Sequence, residues 1–172
     1  TASQVRILYG ITGERNIDDR EIPWLPGYEK SAPVRIGNAA QTQIQQDIYG
    51  EIAAALFHAR EAGVAPEPHE LELQQKLTGH LAKIWQNPGS GMWEERGDPH
   101  RFTVSNVMAW LALELAVKSI ERHGMGGPLE EWKALRDRIH ADVLRHGFDA
   151  HQDSFVQHYG SASLDASLLL LP

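Results

Sequence analysis

Residues 107–117 read VMAWLALELAV, the most apolar run inside the chain. A helix built from such a run is apolar on almost every side and must be buried on most of them. We predict that this helix extends over Thr103–His123 and forms the centre of the fold. The segments around it in sequence are amphipathic and are expected to supply the helices that cover it.

Three further segments repeat apolar residues at three- and four-residue spacing, which indicates helices with one buried face. The first begins at residue 39 and ends before Gly63, the second covers residues 69–86, and the third covers residues 129–145. In the first segment the predicted buried face consists of Ile44, Ile48, Ile52, Ala55, Leu56 and Ala59. In the second it consists of Leu73, Leu77, Leu81, Ile84 and Trp85, and in the third of Leu129, Trp132, Leu135, Ile139 and Val143.

Helices joined in pairs, with a nearly all-apolar one covered by amphipathic ones, predict a mostly α fold of stacked helical hairpins. A helical bundle or a solenoid would show the same pattern, and no repeat of fixed length is visible. Pro128 is placed to start the last of these helices and Gly147 to end it.

Three short segments outside these helices have other expected structures. Residues 5–9 (VRILY) are β-prone, and residues 22–28 (IPWLPGY) predict an extended loop pinned by Trp24 and Tyr28. Residues 154–159 predict a short strand before a last helix that opens near Ser163.

The composition narrows the classes of function. The chain of 172 residues has the length of a single domain, residues 1–172, and carries a net charge of −7 without any basic block, which argues against a nucleic-acid partner. It has no cysteine, so disulfides and cysteine zinc sites are excluded. Apolar runs are shorter than the ~20 residues of a membrane span and no signal peptide opens the chain, so we expect a cytoplasmic protein without a membrane partner.

No cofactor or metal is expected. The nine histidines include no HExxH motif and no pair spaced four residues apart. Neither a GxSxG elbow nor a phosphate-binding P-loop is present.

The loop directly before the apolar helix is the main candidate for a site. Residues 87–102 read NPGSGMWEERGDPHRF, with Trp93, two adjacent carboxylates at Glu94 and Glu95, and Arg96. Glycoside hydrolysis needs two carboxyl groups in unequal environments, and an aromatic wall can desolvate one of them. Adjacent residues of a loop usually point apart, so these two need not be the catalytic pair. The alternative is a surface loop whose tryptophan plugs the core and whose charges are solvated.

A second polar stretch, residues 35–51, reads RIGNAAQTQIQQDIYGE and is rich in amides. Its side chains are suited to hydrogen-bonding sugar hydroxyls. The alternative is that they cap a helix and coat its solvent-facing side. The polar side chains are Asn38, Gln41, Gln43, Gln45 and Asp47.

The run GMWEERGDPHRFTVSNVMAWLALELA at residues 91–116 resembles the bacterial branch of glycoside hydrolase family 15, which includes glucoamylase-, glucodextranase- and trehalase-like enzymes. LYGITGER at residues 8–15, RIGNAAQTQIQQDIYGE, and LDASLLLLP at residues 164–172 resemble other blocks of that family in the same order. The resemblance implies part of an (α/α)6 barrel, in which an outer ring of helices surrounds an inner ring, and an α-glucoside substrate.

The resemblance also implies roles for residues. Glu94 would be the general acid of an inverting mechanism, with Trp93 walling the sugar site and Arg96 binding hydroxyls or holding the acid. Glu95 matches a substrate-binding Glu of the glucoamylase-like members, although many bacterial relatives have an apolar residue there. Three residues of the amide-rich stretch would lie near the sugar subsites, namely Arg35, Asn38 and Gln43.

The chain also departs from the family pattern. The general base belongs to a segment after the block at residues 164–172, and a block that precedes LYGITGER is missing. Asp98 and Asn106 stand where the family pattern has other residues. We therefore expect the central fragment of a catalytic domain, inactive by itself and open to pairing between copies through its uncovered barrel helices. The alternative is a catalytically silent helical module that binds carbohydrate or a protein.

Overall fold

The computed structural model describes Ala2 and residues 5–171, so Pro172, the last residue of the LDASLLLLP block, lies outside the described residues. The chain forms two compact units. One is helical and comprises Thr1–Ser3 and Ile44–Pro172, and the other comprises Gln4–Gln43. Each unit is described by itself below, and the assignment of residues 1–172 to one domain stays a prediction.

The helical unit contains four α-helices within the described residues. They are α1 (Asp47–Glu61), α2 (Pro68–Ile84), α3 (Thr103–His123) and α4 (Leu129–His146). The helix α3 packs most extensively against α1 and α4 and less against α2. The mostly α class is confirmed, and the helical hairpins are those of a partial (α/α)6 barrel.

The apolar helix α3 lies at the centre of the unit, as predicted. By length and composition it could span a membrane, but 67% of the relevant window is buried inside the protein, as in the core helix of a globular fold. It ends at Gly124, whose left-handed conformation (φ 66°) lets its N–H reach the Ile120 carbonyl at 3.1 Å. Leu113 and Val117 on its inner side are fully buried.

The predicted buried face of α1 is wrong. The helix begins at Asp47, and its buried residues are Asp47, Tyr49, Gly50, Ala53, Phe57 and Arg60. A Cβ at Gly50 would lie 2.6 Å from the Met108 carbonyl oxygen, so the backbones of α1 and α3 approach closely there. This close approach turns the face of α1 that carries Gly50 toward α3. The isoleucines at 48 and 52 are left half-buried, and Ile44 precedes the helix and is exposed.

The outer helices follow their predicted patterns with few exceptions. In α4, Trp132, Leu135, Ile139 and Val143 are buried as predicted, whereas Leu129 is half-buried. In α2, Leu77, Leu81 and the following Trp85 are buried, whereas Leu73 is exposed and Ile84 is half-buried. Gly147 ends α4 as predicted, and a Cβ there would lie 2.8 Å from the Thr103 methyl group.

The unit Gln4–Gln43 confirms the predicted β and loop segment at the N-terminus. Its strands β1 (Arg20–Glu21) and β2 (Arg35–Ile36) pair antiparallel. The strand predicted at residues 5–9 is wrong, because no strand among the described residues pairs with this run and β-propensity alone does not hold a strand. The prediction that Trp24 and Tyr28 pin the loop at residues 22–28 is also wrong, since both rings are exposed.

The end of the helical unit is a short hairpin followed by a 3-10 helix. Strands β3 (Phe148–Asp149) and β4 (Ser154–Phe155) pair antiparallel, which confirms a strand at the start of residues 154–159. The last helix is a 3-10 helix, Ala166–Leu170, which begins three residues later than predicted. Asp165 caps it by accepting a hydrogen bond from the Ser167 N–H at 2.6 Å.

Asp47 makes the stability of the helical unit depend on pH. Its burial raises the pKa of the carboxyl above the ordinary value of 3.8, while a hydrogen bond from Ser105 at 3.4 Å lowers it less. The folded state therefore binds more protons than the unfolded state above that value, and stability falls as pH rises through this window. We expect Asp47→Asn to raise the melting temperature of the full-length protein at pH 7, and to raise it less near pH 4. Asp98→Asn, at an exposed position, is the control, and an equal effect of Asp47→Asn at both pH values would contradict the prediction.

Candidate active site

The base of the site loop is closed by a backbone pair. Gly89 and His100 exchange two hydrogen bonds of 2.9 Å and form an antiparallel bridge between the end of α2 and the start of α3. The Ser90 N–H donates to the Ile44 carbonyl at 2.9 Å, and the Gln46 amide donates to the Asn87 carbonyl at 2.6 Å. The loop is therefore fixed on the segment that precedes α1.

Gly89 is required by this close approach. A Cβ at this position would lie 2.6 Å from the Ile44 carbonyl oxygen and 2.5 Å from the Gln46 side-chain oxygen. We expect Gly89→Ala to destabilise the full-length protein by about 1–3 kcal/mol, because the bridge must shift to admit a methyl group. The change is measured as a fall in melting temperature.

Gly97 in the same loop is the matched control. A Cβ there meets no atom within 4 Å, and its backbone is not left-handed. Gly97→Ala should leave stability unchanged or raise it by up to about 1 kcal/mol. Equal melting temperatures for the two variants would show that the bridge at Gly89 does not constrain the loop.

The predicted general acid has an unusual backbone. Glu94 has a φ of 56°, in the left-handed region that a residue with a side chain rarely adopts. Such conformations cost on the order of 1–3 kcal/mol, persist only where the surroundings enforce them, and cluster at functional sites. The Glu94 N–H donates to the Gly91 carbonyl at 3.3 Å, and the Glu95 N–H donates to the Ser90 carbonyl at 3.0 Å. These bonds hold the tight turn that contains Glu94.

Trp93 does not plug the core. Its side chain is 55% exposed, so that part of the alternative interpretation of the loop is wrong. Its indole N–H donates to the Asp165 carboxylate at 3.2 Å, at the N-terminus of the last 3-10 helix. The ring is therefore oriented by a hydrogen bond while much of its surface is available for contact.

Glu95 lies in different surroundings from Glu94. Its carboxylate accepts a hydrogen bond of 2.8 Å from the Gln157 amide and is half-buried, whereas Glu94 is exposed. Arg96 is exposed, and its guanidinium forms no ion pair with the carboxylates that the structure describes. The two adjacent carboxylates thus have unequal environments.

A cluster of rings and charges fixes the end of the loop to the core. His100 stacks in parallel on His158 with ring centroids 4.1 Å apart. The Arg101 guanidinium donates to Asp142 at 2.7 Å, and lies 4.6 Å from the centre of the Tyr159 ring. Burial raises the pKa of Tyr159, and the nearby Asp142 carboxylate raises it further, so the phenol stays neutral.

The other predicted site residues lie in the unit Gln4–Gln43. Arg35 contacts both carboxylate oxygens of Asp19 at 2.9 Å and Glu21 at 3.0 Å, and the hydrogen bonds and charge of Asp19 chiefly raise its pKa. Asn38 accepts from the Ala40 N–H at 2.9 Å and caps the 3-10 helix Ala39–Thr42, as the alternative interpretation of the amide-rich stretch predicted.

Gln43 ends that 3-10 helix with its N–H on the Ala40 carbonyl. Two other polar residues of the stretch, Gln45 and Asp47, are buried in the helical unit. The structure therefore brings Trp93, Glu94, Glu95 and Arg96 together in one loop, and Arg35, Asn38 and Gln43 together in the other unit. Their roles in substrate binding stay predictions.

Sequence reasoning missed the supporting residues Gln157 and Asp165. Asp165 belongs to the LDASLLLLP block, but nothing in its spacing from Trp93 indicates a contact across 72 residues. Among the residues that the structure describes, no group of three or more His, Cys, Asp or Glu side chains is placed to hold a metal ion.

The chain is similar to three curated proteins over nearly its whole length. The chain is 41% identical over 168 residues to a trehalase of Mycobacterium tuberculosis, an alignment that covers 97% of this chain and 24% of that protein. It is 36% identical over 170 residues to a trehalase of Thermoplasma volcanium, covering 99% of this chain and 27% of that protein. A trehalase of Mycolicibacterium smegmatis is 38% identical over 167 residues, covering 96% of this chain and 25% of that protein.

The chain thus spans about a quarter of the length of these curated relatives. No solved structure matches it. The family described as glycosyl hydrolases family 15 matches residues 1–172, which is the whole chain. This chain belongs to glycosyl hydrolases family 15.

Proposed function

We propose that the protein containing this chain hydrolyses an α-glucoside, and that its substrate is trehalose. The observation that carries the proposal is the geometry at Glu94, a carboxyl group on a strained turn beside the exposed ring of Trp93. The family supports a glycoside hydrolase, and the trehalase relatives support trehalose among the α-glucosides.

In this proposal Glu94 protonates the glycosidic oxygen. Protonation makes that oxygen a neutral leaving group while positive charge develops on the sugar ring. The exposed face of Trp93 packs against the apolar face of the glucose ring, and Arg96 donates to its hydroxyls. Glu95 is held by Gln157 as a hydrogen-bond acceptor, which suits a substrate-binding carboxylate and leaves the acid role to Glu94.

The second half of the reaction needs a general base that lies outside this chain. A carboxylate at about 6.5–9.5 Å from the acid would leave room for a water molecule between base and sugar. This water attacks the anomeric carbon from the face opposite the leaving oxygen, and the base accepts its proton. The product configuration is therefore inverted.

The test follows product anomers by NMR in the full-length protein. Trehalose, maltose and isomaltose are offered separately, and spectra are taken before mutarotation. Inverting hydrolysis of trehalose should give α- and β-glucose in equal amounts, since one half leaves with its configuration kept and the other is inverted. α-Glucose alone would contradict the inverting mechanism, and no release from any of the three sugars would contradict the hydrolase.

A further inference from the structure

The two neighbours of Glu94 are both held by the segment that follows α4. We infer that Asp165 and Gln157 are positioning residues for Glu94, because they fix the side chains of Trp93 and Glu95 on either side of it. This inference rests on the proposed role of Glu94 as the acid. Residues 157–165 would thus keep the turn that contains Glu94 in its strained conformation.

Asp165 uses its two carboxylate oxygens for two separate purposes. Oδ1 accepts from the backbone N–H of Ser167 at 2.6 Å and also from the Ser167 hydroxyl, which caps the 3-10 helix Ala166–Leu170. Oδ2 accepts from the Trp93 indole at 3.2 Å. Since Ser167 is buried, the cap anchors the carboxylate and Oδ2 is presented to the indole from a fixed place.

Gln157 is held as firmly through its backbone. Its N–H donates to the Ser163 carbonyl at 2.8 Å, and its carbonyl accepts from the Thr103 N–H, the first residue of α3, at 2.9 Å. The Thr103 hydroxyl also donates to the Val156 carbonyl at 2.5 Å. The amide that binds Glu95 at 2.8 Å therefore projects from a backbone tied to the core helix.

These two contacts matter because the backbone of Glu94 is strained. A left-handed residue returns to an ordinary conformation unless its neighbours are fixed. With the Trp93 and Glu95 side chains both held, the peptide groups on each side of Glu94 are restrained from rotating, and the left-handed backbone of Glu94 is kept. Losing either contact should misplace the acid, and an error of about 1 Å in a reacting group can cost roughly 100-fold in rate.

The experiment uses the full-length protein with trehalose and compares Asp165→Asn, Gln157→Met and Ser167→Ala. In Asp165→Asn the side-chain oxygen must face the backbone N–H of Ser167, which can only donate, so the cap remains. The NH2 group then faces the indole N–H of Trp93, and that hydrogen bond is lost. Gln157→Met keeps the length of the side chain and removes the donor to Glu95. Ser167→Ala weakens the cap but keeps the backbone donor and the contact with Trp93, and serves as the control.

We expect Asp165→Asn and Gln157→Met to lower kcat about 10- to 100-fold. KM and the melting temperature should change little, and Ser167→Ala should stay near the wild-type kcat. Trp93→Phe keeps an aromatic side chain and removes the indole N–H, so the loss caused by Asp165→Asn should not add to that of Trp93→Phe in the double variant.

Three results would overturn the inference while leaving the proposed function intact. The first is a wild-type kcat in both Asp165→Asn and Gln157→Met. The second is that the effects of Asp165→Asn and Trp93→Phe on kcat add in the double variant. The third is that Ser167→Ala loses as much kcat and as much melting temperature as Asp165→Asn. Failure of the proposed function itself is recognised separately, since the wild-type protein would then release no glucose from trehalose, maltose or isomaltose.

Discussion

Replacing Glu94 with Gln in the full-length protein is expected to lower kcat for trehalose about 10²- to 10⁴-fold. This is the range that a positioned proton donor contributes. The amide keeps the size and the hydrogen-bonding ability of the side chain but cannot deliver a proton to the leaving oxygen. KM should change little, because the loss occurs in the transition state. Kinetics measured alongside melting temperature would separate this effect from misfolding.

A substrate that needs no acid gives the sharper control. Fluoride leaves without being protonated, so Glu94→Gln should hydrolyse α-glucosyl fluoride far better, relative to wild type, than it hydrolyses trehalose. Glu95→Gln in the same loop should keep the acid and affect mainly KM, in line with a substrate-binding role. Full turnover of trehalose by Glu94→Gln would remove Glu94 from the mechanism, and an equal loss on both substrates would show that it does not act as the acid.

The second large effect is expected on stability, at Arg101. Its guanidinium bonds to Asp142 at 2.7 Å and to Asn106 at 3.0 Å, and it lies over the rings of Tyr159 and Trp85. We expect Arg101→Met to cost about 2–3 kcal/mol, because it leaves partly buried polar groups with fewer partners and removes the cation–π contacts. Local opening should then become about 30- to 150-fold more frequent, since about 1.4 kcal/mol corresponds to a factor of ten.

Hydrogen exchange in the full-length protein would measure this opening directly. The Tyr159 N–H bonds to the Arg101 carbonyl and the Thr103 N–H bonds to the Gln157 carbonyl, so peptides that cover these amides should lose protection. Arg138→Met, an exposed arginine on α4 with no described ion pair, is the matched control and should change stability by less than about 0.5 kcal/mol. Unchanged protection in Arg101→Met would mean that the ring and charge cluster does not hold the loop.

The central helix and the outer helix α4 could be predicted from sequence alone. The run at residues 107–117 is apolar on nearly all sides, so only a buried position satisfies it, and α3 has the predicted bounds. The buried face of α4 was also predicted correctly except at Leu129, which is half-buried, since the charged and apolar sides of this helix are cleanly separated. Such helices are predictable because the apolar and polar residues within each one leave a single choice of which side is buried and which side faces water.

The face of α1 could not be predicted in this way. Both of its sides carry apolar residues at helical spacing, so periodicity also fits the face with the isoleucines, whereas the buried face carries Tyr49 and Phe57. The choice depends on Gly50, where the absence of a side chain lets the backbone of α1 come close to Met108 in α3. A close approach between two helices is a property of their packing and leaves no periodic pattern in either sequence.

The candidate site, too, could be predicted from the sequence only in part. The predicted site residues Trp93 to Arg96 are adjacent in the chain, and their types together with the family resemblance were enough to single them out. The left-handed backbone of Glu94 and the contacts from Gln157 and Asp165 were not visible in the sequence. By itself, the sequence determined the helical class and singled out the loop at residues 87–102 as the candidate site, because apolar patterning and local motifs lie in consecutive residues. Only the tertiary structure decided which side of α1 is buried and what holds the neighbours of Glu94 in place, because both depend on contacts between residues that are far apart in the chain.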